Sequence, residues 1–160
     1  MPIAIKDSTI DITSEKLTKE LAKEFTKYLK GGEFVFLYGE MGVGKTTFVK
    51  YFINEYQKIN NLTQTEITSP TFSLLNEYQV KDIRIKHYDL FRINRKEDIN
   101  NLDIFEKDNK LITLIEWPQL IADKQDIKFI TLTFNYLNQL NDRTVAVSYT
   151  HLTLPTNREV

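Results

Sequence analysis

The chain has 160 residues, the size of one ordinary domain, and 41% of them are hydrophobic and 27% charged. This composition excludes a disordered chain. The 21 basic residues nearly balance the 22 acidic ones, which excludes a general basic field that would itself hold nucleic acid or an acidic membrane. The absence of cysteine excludes disulfides, a thiolate nucleophile and a Cys-ligated zinc site.

Residues 1–13 alternate polar and apolar side chains and lack the continuous apolar core of a signal peptide. No window approaches the length of a membrane span. We therefore expect a cytoplasmic protein.

Hydrophobic periodicity predicts alternating strands and helices in the first third of the chain. Residues 8–12 alternate as a strand does, and residues 17–29 carry apolar side chains at helical spacing. Residues 34–38 form a continuous apolar run of strand formers, which is typical of a strand covered on both faces. After a glycine-rich loop, residues 48–56 again show helical spacing.

Strands dominate the prediction for the rest of the chain. They are expected at residues 72–78, 83–88, 111–115, 127–134 and 143–147, with short helices at residues 97–102 and 104–107. The fold class is therefore α/β, with a mixed sheet flanked by helices.

The end of the chain differs from the rest in its pattern of apolar residues. Residues 149–160 carry no periodic apolar pattern and contain Pro155 and a polar end. We assign residues 1–148 to the domain and expect residues 149–160 to be an unstructured tail that is foreign to the fold.

All five glycines lie between Gly31 and Gly44, and the last three belong to a phosphate-binding motif. The motif consists of Gly39, Glu40, Met41, Gly42, Val43, Gly44, Lys45 and Thr46, which match the Walker A pattern. Its backbone N–H groups are expected to face phosphate oxygens, and the helix that follows points its positive end at the same anion. Lys45 is expected to reach the β and γ phosphates and Thr46 to bind magnesium, while Thr47 adds a contact.

The alternative to a nucleotide site is a chance glycine-rich turn, whose odds are roughly one in a few hundred for a chain of this length. The motif follows an apolar strand and opens an amphipathic helix, which is the setting that supports it. We therefore predict that the chain binds ATP and magnesium.

Two carboxylates end predicted strands and are candidates for ATP turnover. Glu116 follows the apolar run at residues 111–115, as the acid of a Walker B strand does, and Asp89 ends the strand at residues 83–88. The alternative for each is a solvated carboxylate at a strand end. Spacing does not decide which acid holds magnesium; we favour Glu116 for the metal and Asp89 for positioning the nucleophile.

The loop at residues 68–72 lies where other P-loop switches sense the γ phosphate. Ser69 and Thr71 offer hydroxyls to magnesium or phosphate, and Thr71 is our third candidate catalytic residue. A plain turn is the alternative. Trp117 can equally pack in the core or contact the nucleotide, and for His87 a hydrogen-bonded structural role is favoured over that of a catalytic base.

Four segments together resemble the TsaE (YjeE) family. They are Gly-Glu-Met-Gly-Val-Gly-Lys-Thr-Thr-Phe at 39–48, Ser-Pro-Thr-Phe at 69–72, His-Tyr-Asp-Leu-Phe-Arg at 87–92 and Ile-Glu-Trp-Pro at 115–118. The resemblance covers about residues 5–148 and implies a P-loop NTPase fold with a mainly parallel sheet. It also implies a bacterial ATPase needed for threonylcarbamoyladenosine (t6A), the modified base beside the anticodon of tRNA.

The resemblance further implies that the ATPase acts on the complex of the TsaD and TsaB proteins, and on tRNA only through that complex. It places ATP and magnesium on Lys45, Thr46 and Glu116, with Asp89 supporting hydrolysis. Ser14 and Arg143 match positions of outer nucleotide contacts.

Two other functions remain open. A small-molecule or nucleotide kinase also uses a P-loop, but such kinases usually have a lid that brings several arginines to the transferred phosphoryl group. This chain has five arginines and no arginine cluster typical of such a lid. A nucleotide-dependent interaction module with little turnover is the second.

Overall fold

The computed structural model describes residues 8–123, 127–137 and 142–150. Its longer helices are α1 (Glu15–Tyr28) and α2 (Lys45–Ile59), and two short 3₁₀ helices span Lys96–Leu102 and Pro118–Ile121. Its strands are β1 (Thr9–Asp11), β2 (Phe34–Tyr38), β3 (Leu75–Val80), β4 (Ile83–Asp89), β5 (Leu111–Glu116), β6 (Phe129–Leu137) and β7 (Asp142–Thr150).

The described strands form one sheet in the order β1-β7-β6-β2-β5-β4-β3. Strands β6, β2, β5 and β4 are parallel to one another, and β1, which is antiparallel to β7, runs in their direction too. Only β7 and β3 run the other way. The sheet is therefore mixed and mainly parallel, as predicted.

Each face of the sheet has its own apolar layer. Helices α1 and α2 cover one face, where Phe25, Phe48 and Phe52 pack against the strands. The 3₁₀ helices lie on the other face, over Phe36 and Tyr88. Because β2 and β5 are central and covered on both sides, their sequences are continuous apolar runs. None of the helices in the described ranges is long and apolar enough to cross a bilayer.

Two predicted boundaries differ from the structure. The strand expected from Phe72 begins only at Leu75, because a turn in which the Leu74 N–H donates to the Pro70 carbonyl at 2.7 Å precedes it. Phe72 is 82% exposed. The short helix expected at residues 104–107 is instead a turn and loop, with Ile104 buried.

The proposed tail also begins too early, because Tyr149 belongs to the sheet. Strand β7 continues to Thr150, and Tyr149 pairs with Ile130 and is buried in the core layer under the long helices. Val145, Val147 and Tyr149 all lie in that layer, so the alternation of the strand continues one step further than we predicted. Residues 151–160 lie outside the described residues.

We expect the Tyr149→Ala variant to lose about 3 kcal/mol of unfolding free energy, the usual cost of truncating a buried aromatic side chain. Urea denaturation of this variant and of the wild-type chain measures the difference. A chain ending at residue 148 should be destabilised in the same way relative to one ending at residue 150. Equal denaturation midpoints for Tyr149→Ala and the wild-type chain would show that the Tyr149 side chain contributes nothing to stability.

Candidate nucleotide-binding site

Three parallel strands end at one edge of the sheet and bring distant segments together. Strand β2 leads into the glycine loop, β4 ends at Asp89 and β5 ends at Glu116, which is in register with both Asp89 and Leu37. Such an edge is where ligands bind in open α/β sheets. A cleft of about 310 Å³ lies there, lined by Met41, Gly42, Gly44, Lys45, Thr46, Thr47, Ser69, Thr71, Asp89, Phe91, Glu116 and Trp117.

The loop conformation depends on its glycines. Gly39 has φ 148°, and a Cβ there would lie 2.8 Å from Val43 Cγ1 and 2.9 Å from the Phe134 carbonyl oxygen. Gly44, at φ 123°, directly precedes α2. The first N–H groups of a helix have no intrahelical partners, so the start of α2 presents donors and a positive dipole end to the cleft.

The Lys45 side chain is buried inside this loop. Its ammonium donates to the Gly39 carbonyl and, at 3.3 Å, to the Glu40 carbonyl, and it lies 3.9 Å from the centre of the Trp117 ring. Burial lowers the pKa of Lys45, and the Glu116 and Asp89 carboxylates oppose that shift. The loop thus holds a cation between its own carbonyls and the two acids.

Glu116 joins β5 to the glycine loop. The Thr46 hydroxyl lies 3.0 Å from Oε1 and 2.9 Å from Oε2 of the Glu116 carboxylate, and His87 Nε2 lies 2.6 Å from Oε2. Both the His87 and Glu116 side chains are buried. The predicted magnesium residues, Thr46 and Glu116, are therefore in direct contact although 70 residues separate them.

Asp89 lies beside the predicted switch loop. Its carboxylate accepts from the Phe91 backbone N–H at 3.0 Å and from the Thr71 hydroxyl at 3.4 Å. The Thr71 hydroxyl is also 2.7 Å from the Ser69 hydroxyl. Burial raises the pKa of Asp89, and the charge of Glu116 adds to this shift.

The raised pKa of Asp89 predicts that Asp89→Asn stabilises the nucleotide-free protein at pH 7. The folded state binds the Asp89 proton more tightly than the unfolded state does, so the stability from this group is present below the unfolded pKa and is lost as pH rises through the folded pKa. The ionised carboxylate therefore opposes folding at pH 7. Asparagine removes the charge and keeps an acceptor for the Phe91 N–H.

Melting temperatures of both proteins at pH 7 and at acidic pH test this prediction. Asp89→Asn should melt higher at pH 7, and the difference should shrink on acidification. A lower melting temperature for the variant at pH 7 would contradict it.

The chemistry of the donor set fits a hydrated magnesium ion. Mg²⁺ prefers oxygen ligands and is bound by one or two protein groups together with phosphates and water rather than by a full protein cage. Thr46 Oγ1 and the Glu116 carboxylate supply two oxygen groups in contact with each other.

Not all predicted residues line the cleft. Three of them lie in the loop without lining the cleft. The backbone carbonyls of Gly39 and Glu40 accept from the Lys45 ammonium, and the Val43 side chain is buried in the core. The Ser14 hydroxyl accepts from the Leu17 N–H at 3.2 Å and so caps α1.

Arg143 lies beside the glycine loop but is not among the residues that line the cleft. Its Nη1 is 3.9 Å from where a Cβ on Gly44 would lie, and its guanidinium lies 5.8 Å from the centre of the Tyr136 ring. Thr13 Oγ1 accepts from the Arg143 backbone N–H at 3.1 Å. The start of α1, with Ser14, therefore lies next to Arg143 at the side of the loop.

Phe91 is a lining residue that sequence reasoning did not single out. Its ring packs on Trp117 at 4.8 Å between centroids, and it is 45% exposed. The available signal was its place two residues after Asp89, since a residue following a strand-end acid lies at the same edge of the sheet. Trp117 itself lines the cleft and contacts Lys45.

Comparison with known proteins decides the family. The profile described as "Threonylcarbamoyl adenosine biosynthesis protein TsaE" matches residues 12–145. The chain belongs to the TsaE family. It is 41% identical over 110 residues to a Rickettsia typhi protein named "tRNA threonylcarbamoyladenosine biosynthesis protein TsaE", covering 69% of this chain and 74% of that protein.

A second relative carries the same name, and a solved structure shares the fold. A protein of the same name from Aquifex aeolicus is 36% identical over 108 residues, which cover 68% of this chain and 74% of the relative. The crystal structure of Bacillus subtilis YdiB superposes with a TM-score of 0.67 at 21% identity, covering 91% of this chain and 87% of the other. The chain therefore has the α/β P-loop fold that its sequence predicted.

Proposed function

We propose that this TsaE-family chain is an ATPase that binds ATP with magnesium and, together with the TsaD and TsaB proteins, supports formation of threonylcarbamoyladenosine beside the anticodon of tRNA. The observation that carries the ATPase part is the contact of Thr46, at the start of α2, with Glu116, at the end of β5. A Walker A hydroxyl and a strand-end carboxylate in contact are the two protein parts of a P-loop magnesium site.

Nucleotide binding is supported by the geometry of residues 39–47. Gly44 precedes α2 and has no side chain to cap it, and the first N–H groups of a helix have no intrahelical partners, so a phosphate can accept from them. Lys45 adds a charge in the same cleft. The Arg143 guanidinium lies beside Gly44 and supplies a second cation at the outer side of the loop.

Hydrolysis is assigned to the two carboxylates of the cleft, Glu116 and Asp89, together with Thr46 and Thr71. We assign Glu116 and Thr46 to the magnesium ion, which when bound neutralises charge on the β and γ phosphates. Asp89 is assigned to positioning the attacking water. The Thr71 hydroxyl donates to Asp89 and so links this carboxylate to the switch loop at residues 68–72. The raised pKa of Asp89 fits a carboxylate that is kept from solvent.

The partner assignment follows the family. The relatives from Rickettsia typhi and Aquifex aeolicus are named for threonylcarbamoyladenosine biosynthesis, and the TsaD and TsaB proteins are the partners implied by the resemblance. The near balance of basic and acidic residues supports contact with tRNA through that complex rather than by a basic field of this chain.

A kinase function has less support from the cleft. Its described lining residues include one lysine and no arginine, whereas phosphoryl transfer to a small acceptor requires several charges around the transferred group.

Phosphate release from ATP, measured with and without the TsaD and TsaB proteins, tests the proposal. We expect slow release by the chain alone and clear stimulation by the partner complex. ADP that forms without free phosphate, and only when a phosphate-accepting small molecule is present, would replace the ATPase with a kinase. Tight ATP binding with no stimulated release would replace it with an interaction module.

A further inference from the structure

The Glu116 carboxylate has a second partner besides Thr46. His87 Nε2 lies 2.6 Å from Glu116 Oε2, and the His87 side chain has no solvent exposure. His87 lies on β4, two residues before Asp89, so both side chains point to the same face of the sheet. That face is the one on which α2 and the glycine loop lie.

The strand register makes this contact possible. His87 pairs with Leu114 and Asp89 pairs with Glu116 on the neighbouring parallel strand. The imidazole therefore reaches diagonally along the sheet to the last residue of β5, from the interior side. Thr46 approaches the same carboxylate from the loop, so Glu116 is held between two elements.

The hydrogen-bond partners locate the imidazole proton. His87 Nδ1 is buried and has no hydrogen-bond partner in the described part of the chain. A buried N–H without an acceptor is costly, whereas Nε2–H faces a carboxylate. The proton therefore lies on Nε2, and the imidazole donates to Glu116.

We propose that His87 is a positioning residue that orients the Glu116 carboxylate toward Thr46 and so sets the affinity of the site for magnesium. The inference rests on the proposed ATP and magnesium function. A carboxylate held only by a threonine hydroxyl can rotate about its side-chain torsions, and a second donor at 2.6 Å removes that freedom. Outer partners of metal ligands commonly change metal affinity tenfold or more when removed.

A pair of substitutions separates positioning from simple packing. His87→Phe keeps a buried ring but has no donor, and His87→Gln keeps a side-chain N–H that can take the place of Nε2. The ATP dissociation constant of each protein is measured by calorimetry in EDTA and again at saturating magnesium. The ratio of the two constants reports what magnesium adds to ATP affinity and does not depend on hydrolysis.

We expect His87→Phe to bind ATP in EDTA as tightly as the wild-type chain does. The factor by which magnesium increases ATP affinity should be about tenfold smaller in this variant than in the wild-type chain. His87→Gln should recover most of the magnesium effect.

If the wild-type chain shows the enhancement and His87→Phe keeps it in full, the inference is overturned while the proposed function stands. If His87→Gln loses as much as His87→Phe, packing rather than donation is responsible, and the inference is again overturned. A wild-type chain that gains no ATP affinity from magnesium would overturn the proposed function itself and this inference with it.

Discussion

Glu116→Gln should slow partner-stimulated ATP hydrolysis on the order of a hundredfold while the protein still binds ATP, because one charged group of the reaction centre is lost. Glutamine keeps the size of the side chain and one acceptor oxygen. The Thr46 hydroxyl, which lies within 3.0 Å of both Glu116 oxygens, can donate to the amide oxygen or accept from the amide nitrogen. The local structure should therefore survive, and the main loss is the negative charge.

Single-turnover hydrolysis at saturating ATP and partner complex measures this effect, with ATP affinity determined in parallel. A variant that binds normally and turns over slowly has lost an interaction of the transition state. Asp89→Asn, which removes the other cleft carboxylate, is measured in the same way. If Glu116→Gln hydrolyses at the wild-type rate and Asp89→Asn does not, the roles assigned to the two acids are wrong.

The parts of the fold that were predictable are those encoded by local patterns. The apolar runs at residues 34–38 and 111–115 mark strands β2 and β5, which are covered on both faces, and such burial leaves a continuous hydrophobic signature. The glycine loop was equally predictable, because Gly39 and Gly44 adopt φ values that other residues rarely adopt. The strands and the glycine loop could be predicted because each is encoded by residues that are adjacent in the sequence.

The parts that were not predictable depend on which strands become neighbours. The contact of His87 with Glu116 follows from the register of β4 with β5, and no spacing within either strand reports that register. The same holds for Thr46 and Glu116: the sequence predicted both residues at the edge of the sheet, but their direct contact requires β2 and β5 to be adjacent.

Chain ends and turns were a second source of error. Tyr149 was assigned to a tail because the segment after it has no pattern, yet its pairing with Ile130 in β6 buries it. Phe72 was assigned to a strand on its strand propensity, but the turn closed between Pro70 and Leu74 leaves it exposed. At Tyr149 a tertiary contact extends the strand, whereas at Phe72 a local turn outweighs the strand preference.

Lys45→Ala should weaken ATP binding at least tenfold, since a charge-assisted contact to phosphate contributes roughly 1.5 to 3 kcal/mol. The surroundings of Lys45 add to this expectation. Its ammonium is the cation that faces the Glu116 and Asp89 carboxylates in the cleft. Without it, an incoming phosphate meets two acids and loses its counter-charge.

Calorimetric titration with ATP measures the effect, and two further variants control for its cause. Lys45→Met keeps an unbranched chain against Trp117 but has no charge, so it should bind ATP as weakly as Lys45→Ala if the ammonium matters rather than the packing. Lys50→Ala removes an exposed lysine further along α2 and should bind as the wild-type chain does, since a solvated charge outside the cleft is screened. Unchanged affinity in both Lys45 variants would mean that residues 39–46 do not hold the phosphates, and the nucleotide site would have to lie elsewhere in the chain.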